Sequence, residues 1–312
     1  MKIALCFIIN YDHTLNKEEL WREWIEYNKD IINVYFYYKD KNLIKSQWIL
    51  RHAIPEQYIY ETSYYHVVPA YISLMNYACN NDIANQWFCF LTDSCCPIIS
   101  PQRFRKLFYE NYNNSIFKWD YAWWNPNFHK RANLALLPKN LHLANDPWFI
   151  LTKENVKQVF HFLSHKKELT KTICSGGLAN ESLFAIIFKY YGELDDPPIK
   201  THIYCTSSHI TDWSRMSSAT SPHVFKEGNQ KDIEFIDNEI NKKKQYGVAF
   251  IRKVAPEFPD AILRKYIYEN DDKNLKLVKP FDMICQDCII FVIKNRWLLG
   301  ALFLALIIKL II

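Results

Sequence analysis

Two acidic side chains follow predicted strands, at the positions where an α/β protein binds its ligand. Asp40 comes after the aromatic strand predicted at Val34–Tyr38, and Asp93 comes after the continuous apolar strand predicted at Trp87–Leu91. In an open α/β sheet, ligands bind in the crevice beyond the carboxyl ends of the strands. We therefore predict a ligand-binding role for both aspartates. The alternative is that each one only caps a turn or the next helix.

The elements that would position these aspartates alternate along the chain. Apolar runs rich in β-branched and aromatic residues predict strands, and apolar residues at helical spacing predict helices. The predicted strands are Ile3–Ile9, Asn33–Tyr38, Gln86–Leu91, Pro147–Leu151, His202–Cys205 and His209–Trp213. The predicted helices are Glu18–Lys29, Val67–Cys79, Pro101–Tyr109, Lys153–Ser164, Glu181–Tyr191 and Ile233–Lys244. The alternating order predicts an α/β fold with a parallel sheet.

The composition excludes several classes of protein. Hydrophobic residues make up 49% of the 312 residues, which allows a sizeable packed core and excludes intrinsic disorder. The six glycines form neither a GxGxxG dinucleotide fingerprint nor a GxxxxGK[ST] phosphate loop. A net charge of +5 lacks the concentrated Lys and Arg of a dedicated nucleic-acid binder, so we expect no nucleic-acid partner. The mild positive charge suits a small anionic ligand or a membrane face.

A series of short motifs runs through the chain from its first strand to residue 253. They are Ile3–Ile9, YFYYKDK at Tyr35–Lys41, TSYYHVVPAY at Thr62–Tyr71, LTDSCCPI at Leu91–Ile98, NDPWFIL at Asn145–Leu151, NESLF at Asn180–Phe184, TDWS at Thr211–Ser214, SPHVF at Ser221–Phe225 and FIRK at Phe250–Lys253. In this order they resemble the motifs of the core-2/I-branching glycosyltransferases, whose LSESCIPL signature is similar to LTDSCCPI. Their common order makes the resemblance specific, although no single match would.

The resemblance implies an inverting, metal-independent glycosyltransferase with a GT-A-like fold, a mixed, mainly parallel sheet flanked by helices. It implies no cofactor, with a UDP-sugar as co-substrate and a glycan or glycoprotein hydroxyl as acceptor. GlcNAc and xylose are the sugars that the family suggests. By position, Glu181 matches the family's catalytic base, and Lys253 with Arg252 matches the cation on the leaving diphosphate. Asp40 matches an acid near the nucleotide base.

The chemistry of these residue types is consistent with the implied roles. An inverting transfer needs a carboxylate to take the proton of the attacking hydroxyl, and Glu181 follows the flexible run Cys174–Gly177. The leaving diphosphate needs positive charge, which Arg252 and Lys253 can supply. From the pattern alone, Glu181 could instead be a first-turn glutamate that favours the helix dipole. The two cations could likewise be a charged pair at the end of a strand.

Further substrate-binding side chains are predicted from the matched motifs. They lie in the turn after the third predicted strand and in two later motifs: Asp93, Ser94, Trp148 and Trp213. The two tryptophans would stack on sugar faces, a role also open to Trp123 and Trp124, although most of the ten tryptophans are expected in the core. Arg215 and His209 are candidates for a second cation on the diphosphate.

The chain departs from the family's pattern at several positions. NESLF lacks the usual Pro-Asp before its glutamate, and Pro222-His223 inverts the family's His-Pro. The chain contains no strict Asp-x-Asp, the motif with which most GT-A enzymes hold a divalent ion. Two alternatives therefore stay open. One is a non-catalytic relative that acts as a membrane-tethered binding or scaffold protein, and the other is a Mn²⁺-dependent transferase that uses Asp93.

The C-terminal segment is predicted to attach the protein to a membrane. The residues from Trp297 to Ile312 are apolar except for Lys309, and as a helix they would rise about 24 Å, slightly less than a roughly 30 Å hydrocarbon core. We predict a catalytic domain at 1–280 and a hydrophobic membrane tail at 281–312. The alternative is an amphipathic or buried terminal helix. The first ten residues predict a strand rather than a signal peptide, so we expect the catalytic domain to face the cytosol.

Overall fold

Strands and helices alternate through the residues that the structure, a computed structural model, describes: 1–9, 11–127, 130–195, 203–218, 221–243 and 247–269. The strands are β1 (Lys2–Ile8), β2 (Ile32–Tyr37), β3 (Asn85–Thr92), β4 (Cys96–Pro97), β5 (Ser115–Ile116), β6 (Trp119–Tyr121), β7 (Leu143–Asn145), β8 (Ile150–Thr152), β9 (Ile203–Tyr204), β10 (His209–Thr211) and β11 (Phe250–Arg252). The helices are α1 (Glu18–Glu26), α2 (Gln47–His52), α3 (Val68–Asn81), α4 (Pro101–Asn111), α5 (Lys153–His165), α6 (Lys167–Cys174), α7 (Leu183–Tyr190), α8 (Gln230–Lys243) and α9 (Asp260–Arg264).

The central sheet is mixed, and its longest strands are parallel. Among the described residues its order is β2-β1-β3-β8-β5-β9. β1 pairs in parallel with both β2 and β3, whereas β8 runs antiparallel to β3 and to β5. The carboxyl ends of β1, β2 and β3 therefore meet at one edge of the sheet. This parallel-rich sheet, flanked by helices, fits the GT-A-like fold that the resemblance implies.

Helices cover both faces of the sheet. On one face Phe7 of β1 meets Trp21 of α1, with ring centroids 5.0 Å apart. On the other face Phe90 of β3 meets Tyr71 of α3 at 5.2 Å. Because successive side chains of a strand point to opposite faces, a strand buried on both faces is apolar throughout. This explains the continuous apolar run of β3.

Two smaller sheets bring later segments to the carboxyl edge. In one of them β11 is parallel to β10 and antiparallel to β4. Since β4 directly follows the turn after β3, this pairing carries the end of β11 to that turn, where the Val254 amide donates to the Ser94 carbonyl at 2.8 Å. The other sheet is the antiparallel pair of β6 and β7.

One predicted helix begins later than the sequence suggests. Glu181 does not open α7; it is the last residue of a single 3-10 turn at Ala179–Glu181, and α7 begins at Leu183. The residue before the turn, Leu178, has a left-handed backbone with φ 54°, and its amide donates to the Tyr65 carbonyl at 2.7 Å. This contact with a distant segment places the turn, and sequence periodicity does not show it.

The predicted membrane tail at 281–312 lies outside the described residues, as does the predicted domain boundary at residue 280. Within residues 1–269, leaving out the undescribed gaps, no helix is long and apolar enough to cross a membrane.

Candidate active site

The two aspartates predicted at strand ends lie at the same edge of the sheet but in different surroundings. Asp40 follows β2 and is exposed, and its carboxylate caps a short turn by accepting from the Asn42 amide at 2.9 Å. Asp93 follows β3 and is partly buried, and with Thr92 and Ser94 it lines a cavity of about 450 Å³. We call this the Asp93 cavity. Burial raises the pKa of Asp93, an effect that the charges of Arg252 and Lys253 oppose.

The end of β11 supplies two cations to this cavity. Arg252 and Lys253 line the Asp93 cavity together with Ser94. Lys253 is partly buried and its Nζ donates to the Ser221 hydroxyl at 2.6 Å. Burial lowers the pKa of Lys253, and the charge of neighbouring Arg252 lowers it further.

Arg252 is a buried cation with unused hydrogen-bond donors. Its side chain is 5% exposed, and its guanidinium lies 3.4 Å from the ring centroid of Trp148. Among the described residues, Nε and Nη1 of Arg252 have no hydrogen-bond partner. A buried N–H group without a partner is costly, and more so when it is charged. A bound anion would supply the missing acceptors, so this side chain is suited to a diphosphate.

A second cavity, of about 400 Å³, shares the same two cations. Its lining includes Arg252, Lys253 and Glu181. We call it the Glu181 cavity. The Glu181 side chain is 25% exposed, and its carboxylate accepts from Nη2 of Arg131 at 2.7 Å. Burial raises the pKa of Glu181, an effect that the charges of Arg131 and Arg252 oppose. A carboxylate in this position is suited to act as a general base.

The turn that carries Glu181 is held by contacts from two other segments. Asn145 of β7 is buried; its Nδ2 donates to the Asn180 carbonyl at 2.9 Å and its Oδ1 accepts from the Ala185 amide at 3.2 Å. Gly176 packs against the loop that contains Arg131, where an added Cβ would lie 2.3 Å from the Asn133 amide nitrogen. Only glycine allows this close approach.

The two cavities bring together most of the residues that the sequence predicts for the site. The Glu181 cavity is lined by the base and four of the other predicted residues: Glu181, Trp148, Trp213, Arg252 and Lys253. The Asp93 cavity shares the two cations and adds Asp93 and Ser94. Trp213 is 47% exposed, whereas Trp148 is 6% exposed because Arg252 covers one face of its ring.

Three predicted residues do not line either cavity. Asp40 lies at the same edge of the sheet, after β2, which β1 separates from β3. The Arg215 guanidinium donates from Nε to Asp212 at 2.6 Å and from Nη1 to Asp232 at 2.9 Å. His209 is buried, with its ring centroid 5.1 Å from that of Phe250. The structure therefore places Arg215 and His209 in packing and ion-pair contacts rather than in the lining of either cavity.

Sequence reasoning missed two residues of the site, Arg131 and Asn145. Asn145 opens the matched motif NDPWFIL but was given no role there, and Arg131 lies in none of the matched motifs. Each acts on a turn far along the chain. The Arg131–Glu181 pair joins residues 50 positions apart. An isolated arginine in a loop carries no local signal for such a contact.

The fold and the two cavities define a class of protein. Arg252, a buried cation with two unpartnered nitrogens, and the partly buried Lys253 line both a cavity that can take an anion and a cavity that presents a carboxylate. This arrangement suits group transfer from a donor with an anionic leaving group. A family model described as Core-2/I-Branching enzyme matches residues 6–237. The chain belongs to this family of glycosyltransferases, which act on a nucleotide-sugar donor and a glycan acceptor. The match includes Asp93 and Glu181, and the two cations follow it. No curated protein matches the chain.

Proposed function

We propose that the protein is an inverting, metal-independent glycosyltransferase that moves GlcNAc or xylose from a UDP-sugar to a hydroxyl of a glycan or glycoprotein. The observation that carries this proposal is the position of Arg252, which lines both cavities and has two donor nitrogens without partners. The diphosphate of the donor would occupy the Asp93 cavity, and the acceptor would occupy the Glu181 cavity. The reacting centre would then lie beside the two cations.

The proposed reaction is a single displacement. The acceptor oxygen attacks the anomeric carbon as Glu181 takes the hydroxyl proton. The bond from the anomeric carbon to the diphosphate oxygen breaks, and its electron pair stays on that oxygen. Arg252 and Lys253 stabilise the negative charge that develops there. Because the oxygen enters opposite to the leaving group, the configuration at the anomeric carbon is inverted.

The proposal that no metal is required rests on the same two cations. They line the cavity proposed for the diphosphate and would neutralise it in place of a divalent ion, and the sequence contains no strict Asp-x-Asp. Asp93 is the residue through which a Mn²⁺-dependent mechanism would operate. In that case its carboxylate would bind metal beside two positive side chains, which oppose a second cation by like-charge repulsion.

One observation favours a second candidate function, a non-catalytic relative that binds or scaffolds. The carboxylate of Glu181 is already engaged by Arg131 at 2.7 Å. An ion pair makes a carboxylate a weaker base, so Glu181 could serve only to hold the Arg131 loop. The raised pKa of Glu181 favours the catalytic function, since burial outweighs the ion pair in setting its direction.

The experiment is a donor screen on the full-length protein. Thermal stabilisation and donor hydrolysis are measured with UDP-, GDP- and CMP-sugars, each in EDTA and in Mn²⁺. We expect one UDP-sugar to stabilise the protein in EDTA, and we expect Glu181→Gln to keep that stabilisation while losing turnover by roughly 10²–10⁴-fold. Glu154→Gln, an exposed glutamate of α5, is the matched control.

The other outcomes separate the alternatives. Stabilisation that requires Mn²⁺ would replace the metal-independent mechanism with a metal-dependent one. Donor binding without turnover in the wild type, unaffected by Glu181→Gln, would support the non-catalytic relative. NMR of the product's anomeric proton tests inversion directly.

We also propose that the apolar segment from Trp297 to Ile312 attaches the protein to a membrane, with the catalytic domain in the cytosol. The support is the length and uniformity of that apolar segment. We expect the full-length protein to remain in the membrane fraction after carbonate extraction. Introducing charge through Leu304→Arg and Ile307→Arg should release it. Release of the unchanged protein by carbonate would overturn this proposal.

A further inference from the structure

Two histidines stack on each other near the C-terminal end of α5. His161 and His165 are four residues apart, and both side chains are exposed. Residues at this spacing are neighbours on the surface of a helix. The two imidazole rings have centroids 4.0 Å apart and an interplanar angle of 20°. Neither histidine lines the Glu181 cavity or the Asp93 cavity, so the pair is separate from the proposed active site.

Hydrogen bonds hold both rings by the same ring nitrogen. Nδ1 of His165 lies 2.9 Å from the His161 carbonyl oxygen, which can only accept. Nδ1 of His161 lies 2.6 Å from the Tyr191 hydroxyl. With the proton on Nδ1 of each ring, each Nε2 presents a lone pair. Metal-binding histidines have this arrangement, because a hydrogen bond at one nitrogen fixes the tautomer and directs the other nitrogen at the metal.

The spacing of the two rings suits one metal ion. Zinc binds imidazole nitrogen at about 2.1 Å with tetrahedral geometry, which sets two nitrogens on one ion about 3.3 Å apart. From a ring separation of 4.0 Å, a small rotation of the side chains reaches this distance. Imidazole favours Zn²⁺, Ni²⁺ and Cu²⁺ over Mg²⁺ and Mn²⁺. In the part of the chain that the structure describes, no three His, Cys, Asp or Glu side chains form such a site, so water would complete the coordination.

The charges near the pair are compatible with a bound cation. His165 is the last residue of α5, where the helix dipole favours positive charge. The two lysines on either side of the pair are engaged by other groups. Lys157 lies 3.4 Å from the Glu154 carboxylate, and Nζ of Lys166 lies 4.9 Å from the ring centroid of Tyr190.

The pair also lies where the two ends of a functional segment meet. This segment leaves α5 after His165, runs through α6 and the turn that carries Glu181, and ends with α7. Tyr191 directly follows α7, and its hydroxyl contacts His161. An ion that fixes the two imidazoles would therefore hold the end of α5 against the end of α7.

We propose that His161 and His165 form a binding site for a divalent transition ion such as Zn²⁺ or Ni²⁺, with Tyr191 as a positioning residue. The ion stabilises the contact between α5 and the end of α7 and takes no part in sugar transfer. Because the two rings meet only when the helix is formed, the ion binds the folded protein in preference to the unfolded chain and raises its stability. The site does not depend on the proposed function.

The test is a calorimetric titration of the full-length protein with Ni²⁺ and with Zn²⁺, followed by thermal denaturation with and without each ion. We expect both ions to raise the melting temperature, and Mn²⁺ to bind more weakly than either. His161→Gln and His165→Gln should each weaken binding by roughly 10²-fold, since two linked ligands bind far more tightly than one. Tyr191→Phe should weaken it roughly tenfold.

The matched control is His52→Gln. Nδ1 of His52 lies 2.8 Å from the carbonyl oxygen four residues earlier, that of Trp48, but no second histidine lies four residues away. This variant should bind as the wild type does. The other thiols and imidazoles of the chain are the same in every variant, so the differences report the pair alone.

Equal binding by the wild type and by the two variants of the pair would overturn the proposal. A loss in His52→Gln as large as theirs would do the same. Sugar transfer in EDTA should be the same in His161→Gln, His165→Gln and the wild type. A lower transfer rate in the two variants would contradict the structural role of the ion.

Discussion

Two arginines of this protein are similar in sequence context but differ in their partners. Arg252 ends the short strand β11, and Arg215 lies four residues after the short strand β10. Each arginine lies against an aromatic ring, that of Trp148 or that of Phe235. The Arg215 side chain donates to Asp212 and Asp232, whose carboxylates are 0% and 2% exposed. The Arg252 side chain is more deeply buried, yet two of its nitrogens have no partner among the described residues.

The difference separates a structural cation from one that is available to a ligand. A buried charge is tolerated when its hydrogen-bonding groups are satisfied. Arg215 donates to two buried carboxylates of the fold, and only its Nη2 has no partner among the described residues, so it connects the segment after β10 to α8. We expect Nε and Nη1 of Arg252 to gain acceptors when an anion binds. The unpartnered nitrogens of Arg252 should lower the stability of the free protein and favour binding of an anion. Removing the charge of Arg252 and a charge that pairs with Arg215 tests this comparison.

The largest effect is expected from Arg252→Gln. Because the neutral side chain cannot stabilise the leaving diphosphate, we expect transfer to fall by roughly 10²–10³-fold and the thermal stabilisation by donor to disappear. The melting temperature without donor should be unchanged or higher, since an unpaired buried charge has been removed. Initial rates measure the loss of transfer, and thermal denaturation with and without donor measures the melting temperature and the stabilisation by donor. Arg264→Gln, at an arginine paired with Glu23, is the control. A lower melting temperature of Arg252→Gln with donor affinity intact would break the comparison.

Removing a carboxylate partner of Arg215 should have the opposite effect: the protein should be less stable but should still bind the donor. Asp232 accepts from both Arg215 and His223, so Asp232→Asn leaves a partly buried cation with one carboxylate. We expect the free energy of unfolding to fall by about 2 kcal/mol, as loss of a hydrogen bond to a charged group does, while donor still stabilises the folded protein. Urea denaturation with and without donor measures this. Glu234→Gln, on the exposed side of the same helix, should cost little, and a loss of donor binding in Asp232→Asn alone would assign Arg215 to the substrate after all.

The pH dependence of the reaction rate tests the role of Glu181, the carboxylate of the site. Burial raises the pKa of Glu181, and a general base acts only when it is deprotonated. We therefore expect kcat/KM to rise with pH through a pKa above the ordinary value for a glutamate. The acid limb of the pH profile should be absent from the residual activity of Glu181→Gln. An acid limb that the variant retains would belong to another group and would argue against Glu181 as the base.

Arg131 combines features of the two arginines: it has an ion-pair partner within the fold, as Arg215 has, but that partner is Glu181, the proposed base. Its charge lowers the pKa of Glu181, so Arg131→Gln should move the acid limb to higher pH. We expect kcat at the plateau to change by less than roughly tenfold, against the roughly 10²–10⁴ that loss of a base brings. Arg131→Lys should restore most of the profile. An unchanged acid limb in Arg131→Gln would show that the ion pair does not act on the reaction.

Much of the fold could be predicted, because helices and strands leave periodic patterns in a short window. The strands Lys2–Ile8 and Asn85–Thr92 and the helix Val68–Asn81 agree with their predictions within a few residues. The 3-10 turn at Ala179–Glu181 was missed because a contact from Tyr65 places it. The site residues Asp93, Glu181, Arg252 and Lys253 were predicted from motif and topology, and the structure brings them to two adjoining cavities.

The sequence by itself determined the alternation of strands and helices, the acids that follow strands, and the match to the Core-2/I-Branching enzyme family. These are carried by local pattern and by motif order. Only the tertiary structure decided which cation has unused donors and which tryptophan is exposed. The residues that pair with a charged side chain are distant along the chain, as Arg131 is from Glu181 and Arg215 is from Asp232. Exposure and ion pairing depend on what packs against a side chain, and no local pattern encodes that.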